Sequence, residues 1–273
     1  MKKLALVMAL VLTMSVVFTA CGEKESGGLT VSNDAAAATD SGTQILTGMN
    51  GESITVPSQI TKIACESEAA KIILEALGAS DKLVESSASP EIIFADEVDA
   101  ASFESSGVPV VSIPTAASVA DINTLIRLVA KAAGTSADDL VNKITNVLNV
   151  AQVGSSAYTT RYRAYLDLGD GQTVGTGTYI TEILYATGLE NIATFEGFGE
   201  MAEADIVAAD PEFIITTGSA DDYLNNAAFA EVSAVVNGFV YEIAKEDIAY
   251  GSSNVSNAVS QIYEKVSETR GDD

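Results

Sequence analysis

Four aromatic residues and two short polar loops are the places where this sequence could do chemistry, and the chemistry they suit is binding. Tyr179, Phe198, Tyr223 and Tyr250 fall in expected loops or at helix ends. Exposed rings suit a large, flat or greasy ligand, and a tyrosine phenolate is a known ligand of haem iron. Taken singly, such rings more often serve as core. Ser67 and Glu68 follow an expected strand, and the glycine-rich residues 169–179 lead into Thr178 and Tyr179 at a helix start. Helix starts offer free N–H groups to a ligand, although a flexible loop with an ordinary N-cap explains residues 169–179 just as well. Gly175-Thr176-Gly177 lacks the following Gly-Lys-Ser/Thr of a nucleotide loop.

Catalytic sets are missing. The chain has no histidine, which removes a Ser-His-Asp triad, a Cys-His pair and imidazole-based zinc sites. Its 38 Asp and Glu show neither calcium-loop spacing nor a recognisable hydrolase pair. Asp138-Asp139 and Asp221-Asp222 sit where helices begin, and there the helix dipole favours acids.

Alternating strands and helices must position these residues. Residues 44–47 and 53–56 flank Asn50-Gly51 as a hairpin. Strands are expected over 62–65, 90–95 and 108–113, with helices over 67–77, 100–106 and 119–133. Ser67 reads as an N-cap, and Gly78 and Gly134 as stops. Leu140, Ile144, Val147, Leu148 and Ala151 keep helical spacing through residues 136–153. Beyond them, strands are expected over 162–168, 210–215 and 238–243, and helices over 178–187, 203–209, 222–229 and 254–266.

The second half echoes the first. Ile73 to Gly78 followed by Pro90-Glu91-Ile92-Ile93 matches Ile183 to Gly188 followed by Pro211-Glu212-Phe213-Ile214. The expected fold is α/β: two lobes with parallel sheets flanked by helices, bridged by one long helix, with a ligand cleft between the lobes. The N-terminal lobe takes residues 44–134, the connecting helix 135–156 and the C-terminal lobe 157–273. Only 12 residues run from Gly78 to Pro90 against 23 from Gly188 to Pro211, so the first lobe is expected to lack an element. Parallel α/β sheets bind ligands beyond the C-terminal ends of their strands, which selects the loops named above.

The chain starts with Lys2 and Lys3, a short apolar run, and Phe18-Thr19-Ala20-Cys21. The run is shorter than the roughly 20 apolar residues that span a bilayer comfortably. It reads as a signal peptide over residues 1–20, and Cys21 resembles the lipidated cysteine of bacterial lipoproteins, with Phe18 where that motif usually has Leu. The protein is thus expected outside the cytoplasm, held to the bacterial cell membrane by lipid on Cys21, with residues 21–43 as a flexible tether. Losing residues 1–20 removes two lysines and no acid, which takes the net charge from −24 to about −26. Such a field disfavours nucleic acid and anionic lipid as partners. Cys65, in an apolar run with no remaining cysteine to pair with, reads as a small buried hydrophobe.

These residues resemble the periplasmic-binding family for uptake of iron–siderophore, haem and cobalamin. The matching pieces are Gly51 to Pro57, the segment from Lys62-Ile63-Ala64 to Leu77-Gly78-Ala79, and Pro90-Glu91-Ile92-Ile93. In the second half they are Gly175 to Tyr179 with Ile183-Leu184, Glu203 with Asp210 to Ile215, and Asn237 to Tyr241. Together they cover almost all of residues 44–266. The resemblance implies two lobes on one rigid helix, a ligand held between them with little hinge motion, and pocket positions at residues 247–251 and the glycine-rich loop. It implies a permease that reads one acidic residue per lobe. Glu203 matches the C-terminal position, and Glu85 stands in the shortened stretch where the other would fall. Related receptors for bare zinc or manganese depend on histidine clusters, which this chain lacks. After the leader only Arg127, Arg161, Arg163 and Arg270 remain as arginines, which disfavours a highly anionic tricatecholate and suits a neutral or cationic hydroxamate complex or a corrinoid.

The expectation is therefore a substrate-binding lipoprotein of an ABC importer, not an enzyme, with no resident cofactor or metal. It would capture a ferric siderophore and deliver it to permease and ATPase subunits, with cobalamin or haem as alternative cargo. A surface lipoprotein with a degenerate cleft is the competing role.

Overall fold

Leu46, Ile54 and Val56 bury one face of an antiparallel hairpin, β1 (Thr43–Thr47) and β2 (Ser53–Pro57), with Thr47 opposite Ser53. The computed structural model describes residues 42–169 and 171–271. The expected leader, Cys21 and nearly all of the tether lie outside the described residues.

After the hairpin come β3 (Ile63–Cys65), α1 (Glu68–Ala76), β4 (Ile92–Asp96), α2 (Glu97–Ala100), β5 (Val110–Ile113) and α3 (Val119–Ala133). The three strands pair in parallel in the order β3-β4-β5. Ser118 and Asp121 form a reciprocal capping box at the start of α3, satisfying N–H groups the helix itself leaves open. Then α4 (Asp138–Ser155) runs 18 residues between the two sheets in chain order.

The second half holds β6 (Tyr162–Asp167), β7 (Gln172–Val174), α5 (Tyr179–Ala186), β8 (Leu189–Asn191), β9 (Phe198–Glu200), α6 (Glu203–Ala209) and β10 (Phe213–Thr216). It closes with α7 (Asp221–Leu224), α8 (Ser233–Asn237), β11 (Val240–Glu242), α9 (Lys245–Ile248) and α10 (Val255–Arg270). Strands β11, β10, β6 and β8 are parallel, and β7 and β9 extend the sheet antiparallel. The chain is thus α/β with parallel sheets flanked by helices.

The repeated Pro-Glu has a physical cause. In the first half Glu91 Oε2 accepts from the backbone N–H groups of Thr61 and Lys62, at 2.6 and 3.0 Å. In the second half Glu212 Oε2 accepts from the N–H of Arg163 at 2.9 Å. Each carboxylate staples the entry of one strand to the entry of its parallel neighbour. The Thr61 amide above all, with Lys62 behind it, holds the Glu91 carboxyl below its usual range.

Some elements differ from expectation. The helix expected over 100–106 is α2 followed by a separate 3₁₀ turn, Glu104–Ser106, because the chain reverses directly off β4 at Asp96. The helix expected over 222–229 is broken after Leu224. There the Asn226 side chain accepts from Ala228 N–H and starts a 3₁₀ turn of its own. The strand expected from residue 210 begins at Phe213, because Asp210 caps α6 with φ 45° and its carboxylate accepts from Ser233 N–H and Oγ–H.

One apolar cluster runs without a break from β1 through α3 and α4 to β6, α5 and α10. Close-packed cores of this kind resist independent motion of their parts. The outer face of the second sheet has its own cluster around Tyr165, Ile214, Tyr223 and Phe229. The outer face of the first has only Ala64, Ile93, Ala95 and Ala100 as buried members. Between Gly78 and Pro90 the first half has a 3₁₀ turn, Ser80–Lys82, and a single bridge from Leu83 to Ile63. Between Gly188 and Pro211 the second half places β8, β9 and α6.

Candidate functional site

The three parallel strands of the first sheet end on a cleft of about 360 Å³. Its first wall comes from the N-terminal half: Glu66 and Glu68 after β3, Asp96 and Glu97 after β4, Pro114 and Ala116 after β5, and Asp121 on α3. Its second wall comes from the C-terminal half: Phe198 on β9, and Tyr179, Ala249, Tyr250 and Gly251. Met49 of the hairpin turn also lines it. A more open groove of about 610 Å³ runs between α4 and α10, away from the strand ends, and its lining includes Val147, Val150 and Tyr263.

The two walls differ in chemistry. Phe198 and Tyr250 are each 39% exposed, so both rings are free to stack on a ligand. The first wall carries carboxylates, and among the described residues no Lys or Arg lines the cleft. Asp121 is held by its capping box, and Glu68 lies 3.7 Å from the Lys71 ammonium.

Tyr179 and Thr178 serve the frame. The Tyr179 ring is 2% exposed and its hydroxyl donates to the Ile248 carbonyl, tying α5 to the segment that presents Tyr250. Burial pushes its pKa up, which disfavours the phenolate an iron ligand needs. Thr178 is 4% exposed, caps α5 by accepting from Thr181 N–H, and does not line the cleft. The loop before it is built for backbone packing. A Cβ on Gly175 would sit 1.9 Å from the Phe195 carbonyl oxygen, so only glycine fits. Gly251 has φ 62°, and an added Cβ would meet the Tyr179 ring at 3.4 Å and Ala116 at 3.7 Å, where the two walls touch.

Ser67 is 1% exposed between cleft-lining Glu66 and Glu68 and does not itself line the cleft, and its hydroxyl has no partner among the described residues. Tyr223 belongs to the core: its ring packs edge-on against Phe229 at 5.1 Å and its hydroxyl donates to Asp167 at 2.9 Å. Glu203 is exposed at the start of α6, where it accepts from Asn226 at 3.1 Å. Glu85 is exposed in the turn before β4. Asp96, Glu97, Pro114 and Asp121 escaped the sequence reading, although the strand-end rule applies to the expected strands over 90–95 and 108–113 as it does to 62–65.

The arginines lie elsewhere. Arg161 stacks 3.6 Å over the Tyr185 ring, Arg163 donates to the carbonyls of Ala209 and Asp210, and Arg270 covers Tyr158 and Tyr162 at 4.1 and 4.2 Å. Arg127 pairs with Asp138 at 3.8 Å. Burial, then Glu66, pushes the Cys65 thiol up to about 12, so it stays protonated and unreactive. Among the described residues no three His, Cys, Asp or Glu side chains converge to hold a bare metal ion, and no helix is long and apolar enough to cross a membrane.

This architecture is the fold of periplasmic solute-binding proteins. The CeuE protein of Helicobacter pylori superposes with a TM-score of 0.71 at 17% identity, over 82% of this chain and 88% of that one. The molybdate-binding protein MolA of Haemophilus influenzae gives 0.68 at 15%, over 82% and 93%. The haem-binding protein RhuT of Roseiflexus gives 0.65 at 16%, over 76% and 98%. Identities this low define the fold and leave the ligand open. In sequence the chain is similar to a cobalamin-binding protein of Halobacterium salinarum, 30% identical over 151 residues. That match covers 53% of this chain and 40% of the relative, so the chain spans about two-fifths of the length of the curated relatives it matches. No protein-family model matches.

Proposed function

We propose that this chain is the solute-binding protein of an ABC importer and that it captures a large metal chelate between lobes formed by residues 44–134 and 157–273. The observation that carries this reading is the cleft at the strand ends, faced by the half-exposed rings of Phe198 and Tyr250. The cleft's carboxylates do not converge on one point, which favours a metal already wrapped in an organic ligand over a bare ion. A ferric siderophore and a corrinoid both fit that description. The relative named as cobalamin-binding favours the corrinoid.

In this reading Glu203 and Glu85, both exposed, are the permease-facing acids. Cys21 carries the lipid that keeps the protein outside the cytoplasm. The cargo is handed to permease and ATPase subunits, and no bond is made or broken on this chain.

The test is a thermal-shift panel on the full chain with ferric hydroxamates, ferric catecholates, haem and cobalamins. A ligand that binds only the folded state adds about 2.7 kcal/mol at a hundredfold excess over Kd. One chelate class is expected to raise the melting temperature. A cooperative melt that no member of the panel moves would mean a lost ligand site and a surface role without transport.

A further inference from the structure

Resting on that reading, we propose that the acidic wall of the cleft selects its chelate by charge: it takes complexes that present N–H donors or positive charge, and rejects anionic ones. Four of the wall's five carboxylates, Glu66, Glu68, Asp96 and Glu97, are exposed and come from the ends of two adjacent parallel strands. The side-chain carboxylates of Glu66, Asp96 and Glu97 have no hydrogen-bond or ion-pair partner among the described residues. Glu68 has one ammonium at 3.7 Å, that of Lys71, and among the described residues no Lys or Arg lines the cleft. The buried Ser67 hydroxyl between Glu66 and Glu68 also has no partner among the described residues, but it does not line the cleft. The hydrogen-bonding capacity left open on this wall is therefore that of carboxylates, which accept.

A concave site with low-dielectric walls strengthens the field of the charges lining it. An anionic guest would lose hydration and meet like charge, which costs affinity far more than a missing attraction does. The facing wall adds Phe198 and Tyr250, whose ring faces favour cations and offer nothing to an anion. The side-chain amides of a corrinoid, or the free ammonium of a linear ferric trihydroxamate, match such a wall. The carboxylates of haem and the triple negative charge of a ferric tricatecholate do not.

The test uses two probe series on the full chain, read by isothermal titration. The first is a linear ferric trihydroxamate with its terminal amine free, acetylated or succinylated, so that charge changes while the metal centre does not. The second is aquacobalamin against the monocarboxylate made by hydrolysing one of its side-chain amides. We expect affinity to fall by about tenfold or more per unit of negative charge in whichever series binds. Salt raised from about 50 mM to about 0.5 M should weaken the cationic probe and narrow the gap. In the quadruple variant Glu66→Gln, Glu68→Gln, Asp96→Asn, Glu97→Gln the order should flatten.

Equal affinity along a series would overturn charge selection and leave the importer reading standing. So would an order that survives both salt and the quadruple variant. Silence from both series, with a folded protein, would overturn the two together.

Discussion

Among individual residues, the distinction that matters is between rings that face the cleft and rings that hold it together. Phe198 and Tyr250 are available to a guest, whereas Tyr179 is buried with its hydroxyl engaged. Tyr250→Ala is expected to weaken chelate binding about tenfold, the worth of one stacked ring, while moving the melting temperature of the free protein by less than about 2 °C. Tyr179→Phe should do the reverse. It leaves the Ile248 carbonyl unpaired in the core, costing about 1–3 kcal/mol, and leaves the absorption spectrum of a bound chelate unchanged. A spectral shift in that variant would make Tyr179 a metal ligand after all. The sequence puts both tyrosines at pocket positions but does not tell them apart, because exposure depends on how α9 folds back over α5. A four-residue helix such as α9 leaves no periodic trace.

At the scale of elements, the clearest sequence signal is the echoed Pro-Glu, and its meaning is structural. Glu91 and Glu212 perform one task in two sheets, which is why the motif recurs at the same place in both halves. The Glu91 carboxyl is held below its usual value of 4.5, so its contribution is full above that pH and is lost as pH falls through the lowered value. The melting-temperature gap between wild type and Glu91→Gln is therefore expected to be constant from neutral pH down to about 5 and to close in more acidic buffer. A gap that persists at about pH 2 would rule out the staple as its cause. Gly175→Ala forces the loop away from the Phe195 carbonyl and should cost about 1–3 kcal/mol, read as a lower denaturation midpoint.

Long periodic elements were legible: α3 falls on the expected residues and α4 lies inside the span expected for the connecting helix, while α6, only seven residues long, also falls where expected. Strands β7 and β9 were not, since three residues beside glycines show no alternation. The split of residues 222–229 turns on one asparagine that outcompetes the helix for a backbone N–H.

For the whole molecule, the shortened first half and the acidic cleft belong together. The first sheet has three strands and a thin outer cluster, yet among the described residues the N-terminal half supplies every carboxylate that lines the cleft. Its link to the second half is firm. Glu182 on α5 accepts from Val119 N–H at the head of α3, at 2.8 Å, and one apolar cluster joins the two halves. Such a frame favours a preformed site with small motion on binding, which spares the cost of ordering loops around the guest. The lobed α/β plan was legible because strand and helix alternate twice in the chain. The sign of the cleft was not, because it arises only when the ends of β3, β4 and α3 are brought together.

The most direct measurement is an isothermal titration of the full chain with a cobalamin and a cationic ferric hydroxamate, repeated on the Phe198→Ala, Tyr250→Ala double variant. One of the two is expected to bind one-to-one, with affinity lost by about a hundredfold in the variant at an unchanged melting temperature. Binding that the double variant leaves intact, or a folded wild-type protein that takes up neither chelate, would contradict the claim that this cleft is a chelate receptor.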